Sequence, residues 1–149
     1  MKRYVLVYSL LLIPVLIFAQ TADRIERLLE QESVSYAQAA LLVLEASEHT
    51  ALGSSPDEAF YAALEHRFLP KNAQADDTVN LMGLSSLVMR AFDMKGGLLY
   101  RLTGSQRHAY RELQRRGIVQ GRVDPALPVS GEMLLFMVSR ALFVNEGGQ

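Results

Sequence analysis

Apolar residues recur along this chain at the spacing of one buried helix face. Ala39, Leu42, Val43 and Ala46 follow the i, i+3, i+4, i+7 pattern of an amphipathic helix. Two later stretches show the same spacing: Leu84, Leu87, Val88, Ala91, Phe92 and Leu134, Met137, Val138, Ala141, Leu142. The pattern predicts three helices that each bury one face.

These helices belong to an internal repeat. At a shift of 50 residues without a gap, Arg90-Ala91-Phe92 matches Arg140-Ala141-Leu142, and Val79 matches Val129. A partial third copy lies 45 residues upstream, where Val34 aligns with Val79. The position before each helix is Ser35, Asn80 or Ser130, and all three side chains can accept a hydrogen bond from a free backbone N–H. The shared cap position supports the register independently of the apolar match.

The first half of each later copy also has a helical pattern. Ser55-Pro56-Asp57-Glu58 combines a capping serine, a proline at the first helical position and a glutamate three residues after the cap. Ser105 is the equivalent cap. Each of these units therefore has a helix, a short loop with an apolar plug (Phe68-Leu69 or Ile118-Val119) and a second helix.

The predicted fold class is all-α, with helix-loop-helix units at about 22–47, 55–93 and 105–143. Ile25, Leu28 and Leu29 indicate one more short helix before Ser33. Gly96-Gly97 and Thr103-Gly104 indicate a linker between the second and third units.

The first 19 residues have the layout of a secretory signal peptide. Lys2 and Arg3 precede an apolar run from Tyr4 to Phe18, and Ala19 offers a small residue for cleavage. The run is shorter than the roughly 20 residues of a spanning helix, although a retained N-terminal anchor is the alternative. A domain at 20–146, exported to the periplasm or cell envelope, is expected. The membrane is then a partner only through the N-terminal segment, if that segment is uncleaved.

The composition fits a globular domain, since 50% of the 149 residues are hydrophobic and 21% are charged. The chain has no cysteine, so disulfides, cysteine metal sites and thiol nucleophiles are excluded. No cofactor is expected.

Charge is distributed unevenly along the chain. Residues 20–77 hold 11 acidic and 4 basic residues, whereas residues 95–122 hold seven basic residues and one acid. The candidate binding residues are the arginines of this basic segment: Arg101, Arg107, Arg111 and Arg115. They either face an anionic glycan, lipid headgroup or acidic protein, or are neutralised by the acidic N-terminal region. Nucleic acid is not expected as a partner of an exported protein.

Nothing in the sequence has the pattern of a catalytic or metal site. His49, His66 and His108 form no i, i+4 pair, and surface or capping roles are expected for them. Asp57-Glu58 lies in a first helical turn and Asp76-Asp77 in a polar loop. The chain is therefore expected not to be an enzyme.

The third unit resembles the S-layer homology (SLH) domain. The resemblance lies in Ala109-Tyr110, Leu113, Gly117-Ile118, Gly121, Asp124-Pro125 and Val129-Ser130, followed by Arg140-Ala141-Leu142. It covers about Ser33 to Phe143, and the segment Gly96 to Tyr100 is also similar to diverged envelope proteins of spirochaete type. The resemblance implies three units in a pseudo-threefold bundle that anchors proteins to cell-wall polysaccharide.

The residues that bind glycan in that family are replaced here. The arginine of the family's Thr-Arg-Ala-Glu helix start corresponds to Tyr36, Leu81 and Gly131, and its tryptophan to Ser55 and Ser105. The expected function is a non-catalytic envelope module that docks to a cell-wall component, such as a glycan, or to an envelope protein. A purely structural subunit of an envelope complex and a small wall-glycan-acting enzyme are the alternatives.

Overall fold

The computed structural model describes residues 22–121 and 123–147. The signal peptide predicted at 1–19 lies outside the described residues. Within them the chain forms seven helices: α1 at 22–29, α2 Tyr36–Ala46, α3 Pro56–Glu65, α4 Leu81–Ala91, α5 Leu98–Thr103, α6 Gln106–Arg115 and α7 Gly131–Glu146. The described part contains no strand, only two isolated β-bridges, so the predicted all-α class is confirmed. None of its helices is both long and apolar enough to cross a membrane.

The predicted helix starts are confirmed at the atomic level. Ser35, Asn80 and Ser130 each accept a hydrogen bond from the backbone N–H three residues later, at 3.3, 2.8 and 3.2 Å. Ser55 forms a reciprocal capping box with Glu58, and Ser105 caps α6 through the N–H of His108. Each of these five helices therefore begins where a side-chain oxygen replaces a missing backbone acceptor.

A ring of three backbone hydrogen bonds joins the three repeat copies. The N–H of Val34 donates to Val129 O at 2.9 Å, that of Val129 to Val79 O at 3.0 Å, and that of Val79 to Val34 O at 3.0 Å. All three valines are buried. Because the ring closes on itself, each copy both donates to one neighbour and accepts from the other.

The neighbouring copies also complete the starts of the central helices. The first helical N–H of α2 donates to Asp77 O at 3.0 Å, and that of α4 donates to Leu127 O at 3.1 Å. In α7 the N–H of Gly131 donates to Gln31 O at 3.0 Å. These groups have no acceptor inside their own helix, so each helix start depends on the loop of another copy.

Helices α2, α4 and α7 contact one another pairwise and form the centre of the molecule. The largest fully buried side chains include Leu44 on α2, Leu84 and Leu87 on α4, and Leu134 and Met137 on α7. Helix α3 packs mainly against α2, and α6 mainly against α4. These two helix pairs therefore join different copies. Helix α3, the first helix of the second copy, lies on the second helix of the first copy, and α6, the first helix of the third copy, lies on the second helix of the second copy.

The segment predicted as a linker contains a helix. Helix α5 occupies Leu98–Thr103 and ends at Gly104, which has a left-handed φ of 56°. The hydroxyl of Thr103 donates to Leu99 O at 2.7 Å, and Tyr100 packs against the core. The sequence pattern did not predict this helix, which one anchored aromatic side chain and a glycine C-cap hold between the glycines.

Candidate functional site

A polar groove of about 450 Å³ lies where the three copies meet. Its wall includes Tyr36 of α2, Asp77 of the loop that follows α3, Ser86 and Arg90 of α4, and Gln106 of α6. Segments far apart in sequence therefore supply one surface. Neither α1 nor the four candidate arginines line it.

Tyr36 is the residue that the sequence resemblance aligned with the SLH motif arginine in the first copy. A methyl group at Gly83 would lie 2.6 Å from the Tyr36 hydroxyl, so the glycine on α4 makes room for the phenol. Burial raises the pKa of Tyr36 above its ordinary value, and the nearby Asp77 carboxylate raises it further, while a hydrogen bond with Gln106 opposes both effects. The phenol is therefore kept protonated, as a donor and an acceptor at the groove wall.

Arg90, in the wall of this groove, forms hydrogen bonds with two loops. Its guanidinium donates to Arg67 O at 2.6 Å and to Gly104 O at 3.1 Å. The equivalent Arg140 donates to Gly117 O at 3.3 and 3.4 Å. Arg67 and Gly117 both have positive φ, at 59° and 69°, so these arginines bind the carbonyl where the first helix of each copy ends.

Leu81 and Gly131, which the resemblance aligned with the motif arginine in the other two copies, have structural roles. Leu81 is 2% exposed and belongs to the core. At Gly131 an added Cβ would overlap the carbonyl oxygen of Leu28 at the end of α1. An arginine fits neither place, because one is filled by core packing and the other is covered by the last turn of α1.

The candidate arginines lie on a different surface. Arg101, Arg107, Arg111 and Arg115 are all exposed, on α5 and α6. Arg115 pairs with Glu112 at 2.8 Å, whereas within the described residues Arg107 and Arg111 have no carboxylate within 4.0 Å. Arg111 and Arg115 line a cavity of about 140 Å³ together with Leu98 and Leu99 of α5.

Neutralisation of these arginines by the acidic N-terminal region is not found among the described residues. The two carboxylates of that region that form ion pairs do so within it, Asp23 with Arg27 and Glu45 with Arg24, each at 2.5 Å. Asp23 and Glu45 are therefore already compensated by nearby arginines, and the row on α6 faces solvent.

A third, apolar cavity of about 220 Å³ lies between α1 and α2. Ile25, Leu28, Leu41 and Leu42 contribute to it. The buried Gln31 Oε1 at its edge has no hydrogen-bond partner. The N-terminal helix thus covers one side of α2 and leaves the polar groove open.

The three histidines lie at helix ends or in the loop after α2. His66 is the C-cap residue of α3 and stacks on Phe68, with ring centroids 5.3 Å apart. His49 meets the same phenylalanine edge-on at 5.0 Å. His108 Nδ1 lies 2.8 Å from Thr103 Oγ1 and 2.9 Å from Ser105 Oγ, at the start of α6. In residues 22–121 and 123–147 no three His, Asp or Glu side chains are grouped to hold a metal ion.

Sequence reasoning did not find the groove. Asp77, Ser86 and Gln106 lie on three different segments, and none belongs to a motif. The sequence singled out Tyr36, but only because the residue was aligned with the SLH motif arginine, and that alignment did not indicate a groove.

Comparison with known proteins does not assign the chain to a family. No family model matches it, and no curated protein or solved structure matches it. The resemblance to SLH units therefore stays a prediction from the sequence.

Proposed function

We propose that this protein is an exported, non-catalytic envelope module of SLH-like type that docks to a cell-wall component or to another envelope protein through the groove between its units. The observation that carries the proposal is the polar groove to which all three copies contribute. A groove that exists only when the units are assembled is the kind of place where a repeat protein binds its ligand.

The hydrogen-bond geometry supports a pseudo-threefold arrangement of SLH-like units. The ring through Val34, Val79 and Val129 relates equivalent positions in cyclic order. Helices α2, α4 and α7, at equivalent positions of the three copies, also contact one another pairwise. Both features are what three copies of one helix-loop-helix unit produce when they close around a common axis.

The groove chemistry favours a hydroxyl-rich ligand. Tyr36 offers an aromatic face and a neutral hydroxyl, Asp77 offers an acceptor, and Asn72 and Gln106 offer amide groups. One carboxylate and one guanidinium lie in the wall, so the groove carries no strong charge of either sign. A neutral saccharide segment of the wall fits this set better than a highly charged polymer does.

A small wall-glycan-acting enzyme is the less favoured alternative. Asp77 is the sole carboxylate, and no histidine is present, among the described residues that line the groove. His108 and Glu112 do share the smaller cavity beside α5. However, His108 lies within hydrogen-bond distance of Thr103 and Ser105, and Glu112 pairs with Arg115. Hydrolysis of purified wall glycan by the protein would establish this alternative.

A binding assay on purified cell-wall sacculi and on immobilised envelope proteins tests the proposal. The chain from Gln20 onward should be retained on one of the two, and Asp77→Asn should weaken that retention about tenfold through loss of a charged acceptor. Asp76→Asn makes the same charge change next to the groove without lining it and should bind as the parent does. A folded parent that is retained on neither material would refute the proposal.

The alternative of a purely structural subunit predicts a different result. The protein would then occur only within a stable complex in gently solubilised envelope extract, and Asp77→Asn would leave that complex unchanged. A free monomer in such an extract argues for the binding module.

A further inference from the structure

Helix α5 presents leucines to solvent. Leu98, Leu99 and Leu102 are 71, 57 and 73% exposed, while Tyr100 is directed to the core. Leu98 and Leu102 are one turn apart, so they form a ridge on the outward side of the helix. Three neighbouring leucines on one short helix form a contiguous apolar patch, in contrast to single exposed residues, which need no explanation.

Positive charge surrounds this leucine ridge. Arg101 lies on α5 itself, and Arg111 and Arg115 of α6 line the same cavity as Leu98 and Leu99. Arg107 is one helical turn before Arg111. From Lys95 to Arg116 the chain has six basic residues and one acid, Glu112, which pairs with Arg115, so the segment that carries the leucines has a net positive charge.

We infer that the leucine ridge and its arginines dock this protein onto an anionic lipid bilayer surface. Apolar side chains on a protruding helix can enter the boundary between headgroups and acyl chains, about 5–10 Å deep. The long arginine side chains remain at headgroup level and pair with phosphates. This site is separate from the polar groove and makes the membrane surface a second partner of the domain.

The shape and chemistry of the surface favour lipid over the other candidates. A polysaccharide gains little from three exposed leucines, which offer no hydrogen bonds. The leucines form an outward ridge, whereas a stable protein interface usually buries its anchoring side chains in a pocket. The charge matches an anionic headgroup layer, where each arginine near the surface contributes about a fivefold gain in binding.

Tryptophan fluorescence gives a direct test, because the chain has no tryptophan. Leu102→Trp places the single reporter on the ridge of the full-length protein. Leu52→Trp is the matched control, since Leu52 is 86% exposed in a loop that follows Glu45 and Glu48. Both variants carry the same N-terminal segment, so anchoring through that segment affects them equally.

Vesicles of phosphatidylglycerol and phosphatidylethanolamine should shift the emission of Leu102→Trp to the blue, and phospholipids brominated in their acyl chains should quench it. Leu52→Trp should show neither effect. Adding Arg107→Gln and Arg111→Gln to Leu102→Trp should weaken binding roughly 25-fold, and neutral phosphatidylcholine vesicles should give little shift.

An unchanged emission of Leu102→Trp on anionic vesicles would overturn the inference, and so would an equal shift at position 52. Binding that survives loss of both arginines would overturn the electrostatic part. Asp77→Asn should leave the vesicle result unchanged, so the outcome is independent of the groove experiment on sacculi.

Discussion

At the residue scale, steric contacts explain the residues found at two of the positions that were aligned with the SLH motif. Gly131 has no room for any side chain, because the carbonyl of Leu28 lies where its Cβ would be. Gly83 leaves space for the Tyr36 hydroxyl. The sequence shows only which residues stand at these positions, whereas the structure shows which atoms occupy the space beside the two glycines.

Gly131→Ala should lower the free energy of unfolding by about 1–3 kcal/mol, since backbone atoms cannot move aside as a flexible side chain can. The hydrogen bond from Gly131 N to Gln31 O should be lost as well, because the two segments must separate. Urea denaturation followed by circular dichroism measures the change. Gly147→Ala is the comparison, because its new methyl group would lie 3.3 Å from the Phe143 carbonyl oxygen and not 1.7 Å from a backbone atom, so it should cost less stability.

At the element scale, the helices that the sequence predicted are those with their own start signals. Ser35, Ser55, Asn80, Ser105 and Ser130 all cap a helix as expected. Helix α5 was missed because its N-cap, Gly97, forms no side-chain hydrogen bond and glycines flank it. Its formation depends on Tyr100 packing against the core, and a local pattern does not reveal that contact.

The capping box of α3 should make stability depend on acid pH. Hydrogen bonds from the backbone N–H and then the side chain of Ser55 hold the pKa of Glu58 below its ordinary value of 4.5. Because the folded pKa is lowered, this stabilisation is present above pH 4.5 and is lost as the pH falls through the folded value.

Glu58→Gln should therefore flatten the fall in stability of the protein below pH 4.5. Helix α2 already has the neutral version of the box, with Gln38 in the equivalent position, so the glutamine variant should keep the helix start. Urea midpoints measured from neutral pH to about pH 3 test this. An identical acid profile for the parent and Glu58→Gln would contradict the assignment.

At the scale of the whole molecule, the three copies depend on one another for backbone hydrogen bonds. The ring through Val34, Val79 and Val129 and the donors at the starts of α2, α4 and α7 all cross between copies. No copy can satisfy these groups alone. The described part of the chain should consequently unfold as one cooperative unit.

Val34→Ala, Val79→Ala and Val129→Ala should each reduce the free energy of unfolding by about 2 kcal/mol, because each removes buried methyl groups at the ring. All three variants should retain a single unfolding transition with the parent's denaturant dependence. Leu52→Ala, at an 86% exposed position, should change stability little. Two separate transitions in any variant would show that the copies fold independently.

The sequence by itself determined the helices with caps, their buried faces and the existence of related copies. Those properties depend on local hydrogen bonding and on the 3.6-residue period of the helix, and both can be recognised from the type of side chain at each position. The candidate arginines Arg107, Arg111 and Arg115 lie on α6 and are exposed.

Only the tertiary structure decided which helices pack together and what lies between the copies. Helix α3 lies on α2, which belongs to a different unit. The copies are joined by hydrogen bonds between backbone groups, which every residue carries. The types of residue along the chain therefore do not specify which copies pair. The groove of Tyr36, Asp77 and Gln106 and the nearness of the α5 leucines to the α6 arginines arise from that assembly. The two proposed binding surfaces are thus properties of the folded arrangement.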